Sequence, residues 1–594
     1  MIPPSPPIAD LALLGDRRTA ALVARDGAVR WLCLPRFDSG ACFASLLDPH
    51  GGTCGLAFDG DRPNAAERRY LPGTLVLETT LRHAGGEARV LDCLVDDGAE
   101  RGEERLLLRV VEGVRGEVPI RVLVAPRFDY GAVRPWIRRH GDRWSAIGGD
   151  DGLIIACDAP LEPDGRHVLG ARATVREGER LRLALTYRRP ADLEADDTAP
   201  APDALDAALD ATIERWRAWS DRDDATGLEA AHRSALALKA LTYEPTGAMV
   251  AAATTSLPEG HRGERAWDYR YSWIRDAVMA SRSLAELGYD AEADAFRRFI
   301  ERSTAGSSED LQVFYGVGGE RRAPEETLGG LSGYDGADVN VGNGAATQLQ
   351  LDAYGHLLGQ SWRAYERGHT PDDDYWRFLA DCVDTAVRSW EQPDNGIWEW
   401  RGDGRHFVYS KVMCWLACDR GLRLAEACGR EAPVERWTDA RTAIAEAVDE
   451  RGYDHRRGTF LQAFGLPDLD ASVLRLPSTG FIAYDDPRML STADVLAEAL
   501  DDGGLLRRYD GDDGLPGREG AFLACTFWLV ECLAGQGRHD EARLWFDRAA
   551  ATANDLGLFS EEYDVEGGRM LGNFPQALTH LAHIEATLAL TRDG

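Results

Sequence analysis

The chain has 594 residues, of which 44% are hydrophobic and 28% are charged. Such a composition is typical of a folded protein, and the length fits two to four domains at roughly 150 residues each, or one large repeat-like domain with a smaller one. The net charge of −32 opposes binding to nucleic acids and anionic membranes, because neutralising phosphates requires a surplus of clustered cations.

The start of the chain and its cysteines favour a cytoplasmic protein without cofactor or metal. The segment MIPPSPPIADLALLGDRRTA lacks a basic region followed by an apolar one, and no run approaches the ~20 apolar residues of a membrane span. The eleven cysteines are scattered without a CxxC pair, which predicts buried reduced thiols. The oligomeric state stays open, a homo-oligomer being one of the states that the sequence allows.

The first part of the chain, up to about residue 190, has the pattern of strands and tight turns. Runs rich in β-forming residues flank Asp-Gly in TAALVARDGAVRWLCLP and Gly-Gly in GTLVLETTLRHAGGEARVLDCLV. Hairpins at such short intervals predict an antiparallel β-sandwich, which we place at residues 1–200. A Pro-, Ala- and Asp-rich stretch at 190–204 resembles a linker, and the amphipathic pattern of DAALDATIERWRAW predicts a linker helix within 201–227.

From residue 228 to 594 the hydrophobic period is helical, as in WIRDAVMASRSLAELG and FLACTFWLVECLAGQG. About a dozen such helices in pairs fit either an open solenoid or a closed ring of helical hairpins. Long loops rich in aromatics, Gly and carboxylates favour the ring, since a solenoid needs short polar connections and long structured loops are usually functional. In a toroid, these loops would meet at one end and form a pocket. They are 254–275, 306–343, 392–409, 502–520 and 555–575.

The first of these loops, RAWDYRYSWIRDA at 265–277, alternates aromatic and charged residues. Sugar sites combine aromatic platforms for the ring faces with Arg and carboxylates for the hydroxyl groups, so we interpret this loop as a binding site. A solvated loop with aromatic anchors is the alternative.

Two further loops carry glutamates suited to hydrolysis of a glycosidic bond, which needs two carboxyl groups. Glu399 lies between Trp398 and Trp400, and an apolar wall raises the pKa of a carboxyl group, as a general acid requires. A surface glutamate in an aromatic turn fits this stretch equally well. Glu561 and Glu562 are adjacent, so their side chains point in different directions on a strand or tight turn; a polar loop before a helix is the alternative.

With these motifs the chain resembles glycoside hydrolase family 15, and within it the bacterial trehalase-like branch. The segment DLALLGDRRTAALVARDGAVRWLCLPRFDSGACFASLL resembles the N-terminal domain of the branch. The resemblance implies a β-sandwich followed by an (α/α)6 toroid, and hydrolysis of α-linked glucosides with inversion. The catalytic-domain motifs follow in family order: WDYRYSWIRDA, GIWEWRGDGRHFVYSKVMCWLACDRG, DGLPGREGAFLACTFWLVECL and ANDLGLFSEEYDVEGGRMLGNFPQALTHLA.

The resemblance also implies residue roles. Glu399 matches the general acid of the family and Glu561 its general base, while Arg275 and Asp276 match the pair that grips the terminal glucose. Inverting enzymes hold their two carboxyl groups about 6.5–9.5 Å apart, a spacing that glutamates on separate loops can meet. The remaining substrate-binding or orienting candidates are Tyr269, Tyr271, Trp273, Trp398, Glu519, Trp528 and Glu562.

The sequence departs from the family pattern at two places. GYDGADVNVGN at 333–343 is one residue shorter than the expected GYxGSxPVRxGN and has Asn340 near the usual Arg; Ala266 stands at the Asn of RNWDYRY. The first change alters contacts to the leaving sugar, so it bears on the substrate more than on the reaction.

The resemblance leaves the substrate open between two kinds of glucoside. Trehalose, cleaved at its α,α-1,1 bond into two glucoses, is the leading hypothesis. A glucoamylase or isomaltase-type enzyme acting on α-1,4 or α-1,6 glucans is the alternative, because both enzymes bind a terminal glucose alike. A disaccharide phosphorylase would need no second carboxylate, and a non-catalytic sugar-binding protein would need no facing acid and base. The expected partner is therefore a small carbohydrate.

Overall fold

The computed structural model describes residues 5–591 apart from 60–66, 97, 99–101, 194–199, 222–228, 261–262, 264 and 516. Parts of the predicted linker and linker helix, at 194–199 and 222–227, lie outside the described residues. The chain divides into two compact units. Unit 1 comprises Met1–Pro245, Gly329–Val339 and Ala553–Leu558, and unit 2 comprises Thr246–Leu328, Asn340–Thr552 and Phe559–Gly594.

Unit 1 is built mainly from antiparallel strands, as the sequence predicts. Two helices follow them, α1 (Pro202–Ser220) and α2 (Glu229–Ala240), and then the short strand β16 (Thr242–Tyr243). The main strands are β1 (Ala12–Gly15), β2 (Ala20–Val23), β3 (Ala28–Cys33), β4 (Ala41–Phe43), β5 (Thr53–Phe58), β6 (Glu67–Tyr70), β7 (Leu77–His83), β8 (Gly86–Leu94), β9 (Arg105–Ala125), β10 (Trp136–His140), β11 (Arg143–Gly148), β12 (Asp151–Cys157), β13 (Glu162–Pro163), β14 (Leu169–Arg176) and β15 (Arg180–Tyr187).

Strand β9 belongs to two sheets. Its first half pairs with β8 and β15, and its second half pairs with β5 and β14, all antiparallel. Gly116, at the change of partners, has φ +63°, and a Cβ there would lie 2.2 Å from the Gly85 carbonyl oxygen. The strand can therefore turn from one sheet into the other only because this position lacks a side chain.

Helix α1 covers a face of the sheet that contains β8, β9 and β15. Its Leu205 and Leu209 are buried in the same apolar cluster as Val76, Leu91 and Leu108. The apolar face that the sequence pattern predicts for this helix therefore packs on strands of unit 1.

Unit 2 is helical, and its inner helices close into a ring. Helix α3 packs on α5, α5 on α7, α7 on the short α9 and the 3-10 turn before it, that turn on α11, α11 on α13, and α13 on α3. The ring confirms the predicted (α/α)6 toroid. The helices are α3 (Ile274–Glu286), α4 (Asp290–Ser303), α5 (Asp352–Glu366), α6 (Asp373–Ser389), α7 (Val408–Cys428), α8 (Val434–Arg451), α9 (Leu476–Thr479), α10 (Pro487–Ala499), α11 (Leu523–Gly535), α12 (His539–Ala550) and α13 (Ala577–Thr591).

The composition of each helix decides its layer. Helix α11, LACTFWLVECLAG, is apolar on all sides and nearly all of it is buried, whereas α4, DAEADAFRRFIERS, buries one stripe and lies outside. Because inner helices alternate with returning outer ones, the inner helices run in the same direction, and the loops before them meet at one end. Short strands in these loops are β17 (Ala248–Met249), β18 (Ser272–Trp273), β19 (Phe314–Tyr315), β20 (Glu326–Thr327), β21 (Asn340–Val341), β22 (Tyr453–Asp454), β23 (Thr459–Phe460), β24 (Ala521–Phe522), β25 (Glu562–Asp564) and β26 (Arg569–Leu571).

Two expectations from composition concern the whole chain. All eleven cysteines are free thiols, and most of them are buried. Within the described ranges, a helix long and apolar enough to cross a bilayer does not occur.

Candidate active site

A pocket lies where the loops before α3, α7, α11 and α13 meet. Four of the five loops that we expect to gather at one end supply side chains to its wall, and loop 306–343 supplies none. The charged lining residues are Glu259, Arg275, Asp276, Glu399, Arg401, Arg508, Asp513 and Glu561, and the aromatic ones are Trp267, Tyr269, Trp273, Trp398, Trp400, Tyr509 and Phe522.

Glu399 lines this pocket in a strained backbone position. Its φ of +58° is uncommon for a residue with a side chain. The indole N–H of Trp273 donates a hydrogen bond to its Oε1 at 2.5 Å, and a guanidinium nitrogen of Arg275 lies 3.8 Å from the same atom. Burial raises the pKa of Glu399, and the charge of Arg275 opposes that rise. The carboxyl group is thus biased toward its protonated form, as the sequence predicts from its tryptophan neighbours.

Glu561 lines the same pocket and is 2% exposed. Burial raises its pKa well above the ordinary value, with the charges of Glu259 and Glu562 adding to the rise and Arg508 opposing it. Its Oε2 accepts no hydrogen bond from any described residue. Gly572 approaches so closely that a Cβ there would lie 2.8 Å from the Glu561 Oε2. This position must lack a side chain for Glu561 to keep its orientation.

Glu562 begins strand β25 and points away from the pocket, as expected for the neighbour of Glu561. It is fully buried, and its Oε2 accepts a hydrogen bond from the backbone N–H of Gly520 at 2.8 Å. Burial raises the pKa of Glu562 to about 8, although Arg508 opposes the rise. The adjacent glutamates therefore occupy different environments.

Arg508, in the pocket wall, contacts several carboxylates. It donates to Glu259 at 3.0 Å and to Glu519 at 2.7 Å, and it lies 3.8 Å from Glu562. These three glutamates can bring one oxygen each within 4.8 Å of one another, a spacing compatible with a metal ion. Since the Arg508 guanidinium lies among all three carboxyl groups, we interpret the group as an arginine-centred network.

Arg275 and Asp276 form an ion pair in the pocket wall, with guanidinium nitrogens 3.0 and 3.1 Å from Asp276 Oδ2. They begin helix α3, and strand β18 directly before them places Trp273. Trp398 also lines the pocket, and its indole N–H donates to Asp470 at 2.9 Å. These contacts hold polar groups and aromatic faces rigidly around one space.

Four of the predicted site residues lie behind the wall. Tyr271 packs against Phe314 at 5.3 Å between ring centroids, and Trp528 packs behind Trp398 at 5.8 Å. Glu519 and Glu562 belong to the Arg508 network. None of these four lines the pocket, so a direct contact with substrate stays a prediction for each of them.

The sequence reasoning missed Glu259 and Arg508, which both line the pocket. They occur in loops 254–275 and 502–520, which it marks as functional. Neither lies in an alternating aromatic motif. Tyr269 connects Glu259 to the site, because its hydroxyl donates to Glu259 at 2.9 Å and its ring lines the same pocket as Glu561.

The two departures from the family pattern are in direct contact. The side-chain amide of Asn340 donates to the Ala266 carbonyl oxygen at 2.8 Å, and its Oδ1 accepts from Thr327 at 2.7 Å. Asn340 is thus used within the loops rather than in the pocket wall, which explains why it is not a lining residue.

A helical toroid that gathers glutamates, arginines and indole rings in the loops at one end defines a glycoside hydrolase. Comparison with known proteins gives the family: the family model "Glycosyl hydrolases family 15" matches residues 225–588, and "Trehalase-like, N-terminal" matches residues 3–192. The chain belongs to glycosyl hydrolase family 15.

Relatives resemble the chain along nearly its whole length. A trehalase of Mycobacterium tuberculosis is 41% identical, covering 99% of this chain and 90% of that protein, and a trehalase of Thermoplasma volcanium is 34% identical, covering 96% and 91%. The crystal structure of a bacterial glucoamylase complexed with acarbose matches with a TM-score of 0.73 at 13% identity, covering 99% of this chain and 94% of that one. That structural match supports the fold.

Proposed function

We propose that the protein is an inverting trehalase, which hydrolyses the α,α-1,1 bond of trehalose. Its near full-length similarity to trehalases, at 41% identity to that of Mycobacterium tuberculosis, supports the substrate. The observation that carries the reaction is that Glu399 and Glu561, 162 positions apart in the chain, line one pocket together with Arg275 and Asp276.

In the proposed reaction Glu399 is the general acid and Glu561 the general base. Glu561 takes a proton from water as the water oxygen attacks the anomeric carbon, and Glu399 gives its proton to the departing glycosidic oxygen. Arg275 and Asp276 hold hydroxyl groups of the glucose that is attacked, and Tyr269, Trp273 and Trp398 enclose that sugar. The raised pKa of Glu399 supports the acid role, because it keeps the proton available.

Glu561 must ionise to act as a base, and the positive charge of Arg508 favours that ionised form. The buried glutamates around it raise its pKa, whereas the nearby guanidinium lowers it. Glu562, whose pKa burial also raises, titrates together with Glu561 as a coupled pair. In this proposal Glu562 is a positioning residue.

The experiment that tests the substrate is glucose release from trehalose, maltose and isomaltose in parallel, each with and without phosphate. A trehalase releases glucose from trehalose with the highest kcat/KM. Preference for maltose or isomaltose would assign a glucoamylase or isomaltase-type activity, and glucose 1-phosphate formed only with phosphate would assign a phosphorylase.

The stereochemical outcome tests the mechanism separately. Inversion at one anomeric carbon of trehalose yields one β-glucose, while the departing sugar leaves as α-glucose. Proton NMR of the fresh products should therefore show equal amounts of the two anomers before mutarotation. Initial formation of α-glucose alone would exclude inversion. As a further test, Glu399→Gln should lower kcat by roughly 10²–10⁴-fold without changing the fold.

A further inference from the structure

A second cavity lies inside unit 2, separate from the catalytic pocket. Its volume is about 270 Å³, and it shares no lining residue with the pocket that holds Glu399 and Glu561. Helices α3, α5, α7 and α9 form its walls. Arginines dominate its charged lining, which consists of Arg282, Arg363, Arg420, Arg423 and Arg475 with one carboxylate, Glu366.

Four of these five arginines are already paired with carboxylates. Arg475 and Arg282 have their own carboxylates, whereas Arg420 and Arg423 share Asp419 with Arg441. The pairs are Arg475 with Glu531 at 2.8 Å and Glu585 at 2.6 Å, Arg282 with Glu286 at 2.8 Å, Arg423 with Asp419 at 2.9 Å, and Arg420 also with Asp419.

Arg363, in the last turn of α5, is different. Its guanidinium forms neither a hydrogen bond nor an ion pair with any residue that the structure describes. Burial and the charge of Arg282 lower the pKa of Arg363 to about 9. The charges of Glu286 and Glu585 act on Arg363 without contacting it, so its five donors are available to an anion in the cavity.

We propose that this cavity binds a small oxyanion, specifically a phosphate group, on Arg363 with Arg282 and Arg420 beside it. The planar fork of a guanidinium matches two oxygens of a phosphate, which makes arginine the preferred residue for such groups. The volume holds about nine waters at ~30 Å³ each. Either inorganic phosphate with part of its hydration shell or the phosphate of a sugar phosphate fits this space.

Isothermal titration calorimetry tests the proposal with two probes, inorganic phosphate and glucose 6-phosphate. The variants are Arg363→Met, which removes the unpaired cation, and Arg377→Met as matched control. Arg377 pairs with Asp374 on the outer helix α6 and its side chain is 75% exposed. Wild type and control should bind phosphate, and Arg363→Met should bind it at least about tenfold more weakly. Equal affinity for the two probes identifies the free ion, and much tighter glucose 6-phosphate binding identifies the ester.

Thermal unfolding separates lost binding from lost folding. Since Arg363→Met breaks no hydrogen bond or ion pair of the described residues, its midpoint without phosphate should equal or exceed that of wild type. Phosphate should raise the midpoints of wild type and Arg377→Met but not that of Arg363→Met. Arg363→Lys, which keeps a cation but loses the fork, should bind phosphate with intermediate affinity. The proposal is overturned if neither probe binds wild type, or if Arg363→Met binds either probe as tightly as wild type.

Discussion

Glutamine substitution distinguishes the proposed roles of Glu561 and Glu562. Glu562 begins β25, and Glu561 directly precedes it. Glutamine keeps the shape of glutamate and removes its charge. In the proposed mechanism, Glu561→Gln abolishes the base and lowers kcat for trehalose by roughly 10²–10⁴-fold. Glu562→Gln should lower kcat by no more than about threefold near neutral pH, because Glu562 is mainly protonated there.

The size of the second effect follows from the environment of Glu562. With its pKa raised to about 8, protonated molecules outnumber ionised ones by about ten to one at pH 7. Glutamine resembles the protonated acid, so the charge changes in about one molecule in ten. An amide oxygen can also still accept the Gly520 N–H that is 2.8 Å from Glu562. Glu561, in contrast, must ionise in every turnover.

Both effects are measured by steady-state kinetics of glucose release between about pH 5 and 9. Thermal unfolding of each variant is the control for folding. Glu562→Gln should follow wild type at low pH and diverge only where Glu562 ionises, above pH 8. A hundredfold loss in Glu562→Gln at pH 6, or more than a tenth of the activity left in Glu561→Gln, would refute the assignment.

Three further outcomes test the site and the fold. Arg508 lowers the pKa of Glu561, and a base must be deprotonated, so Arg508→Met should move the acidic limb of the kcat/KM profile to higher pH; an unmoved limb contradicts this. Gly572→Ala should lower kcat tenfold or more, about the cost of a displaced reacting group, with KM changing less. Arg109 and Asp92 form a buried pair at 2.8 Å, so Arg109→Met should lower the free energy of unfolding by about 3–5 kcal/mol in a urea titration.

The sequence predicts the fold well because each unit has a clear hydrophobic period. Alternation and Gly-containing turns define the strands of unit 1, and the 3.6-residue period defines the helices of unit 2. Loop length then distinguishes a ring from a solenoid, as the inner contacts from α13 back to α3 confirm. The change of β9 from one sheet to another is not predictable in this way, since it depends on contacts at Gly116 with a distant strand.

The candidate site is predictable where chemistry concentrates in a short motif. Tyr269, Trp273, Arg275 and Asp276 lie in one aromatic and charged segment, and all of them line the pocket. Arg508 has no such context, being one of 67 Lys and Arg residues. Its importance comes from the convergence of loops 254–275 and 502–520 with the end of β25, which only the folded chain brings about.

The protonation states of Glu399 and Glu561 cannot be predicted from any single sequence motif. Burial raises the pKa of both Glu399 and Glu561, yet the proposed reaction needs one protonated and one ionised. Their neighbours differ: Glu399 adjoins an indole N–H and Arg275, whereas Glu561 adjoins Arg508 and Glu562, whose pKa burial raises to about 8. When Glu562 is protonated it adds no negative charge beside Glu561, and the charge of Arg508 favours the ionised form of Glu561. In the proposed mechanism, Glu562 thus assists Glu561 by remaining mainly protonated near neutral pH.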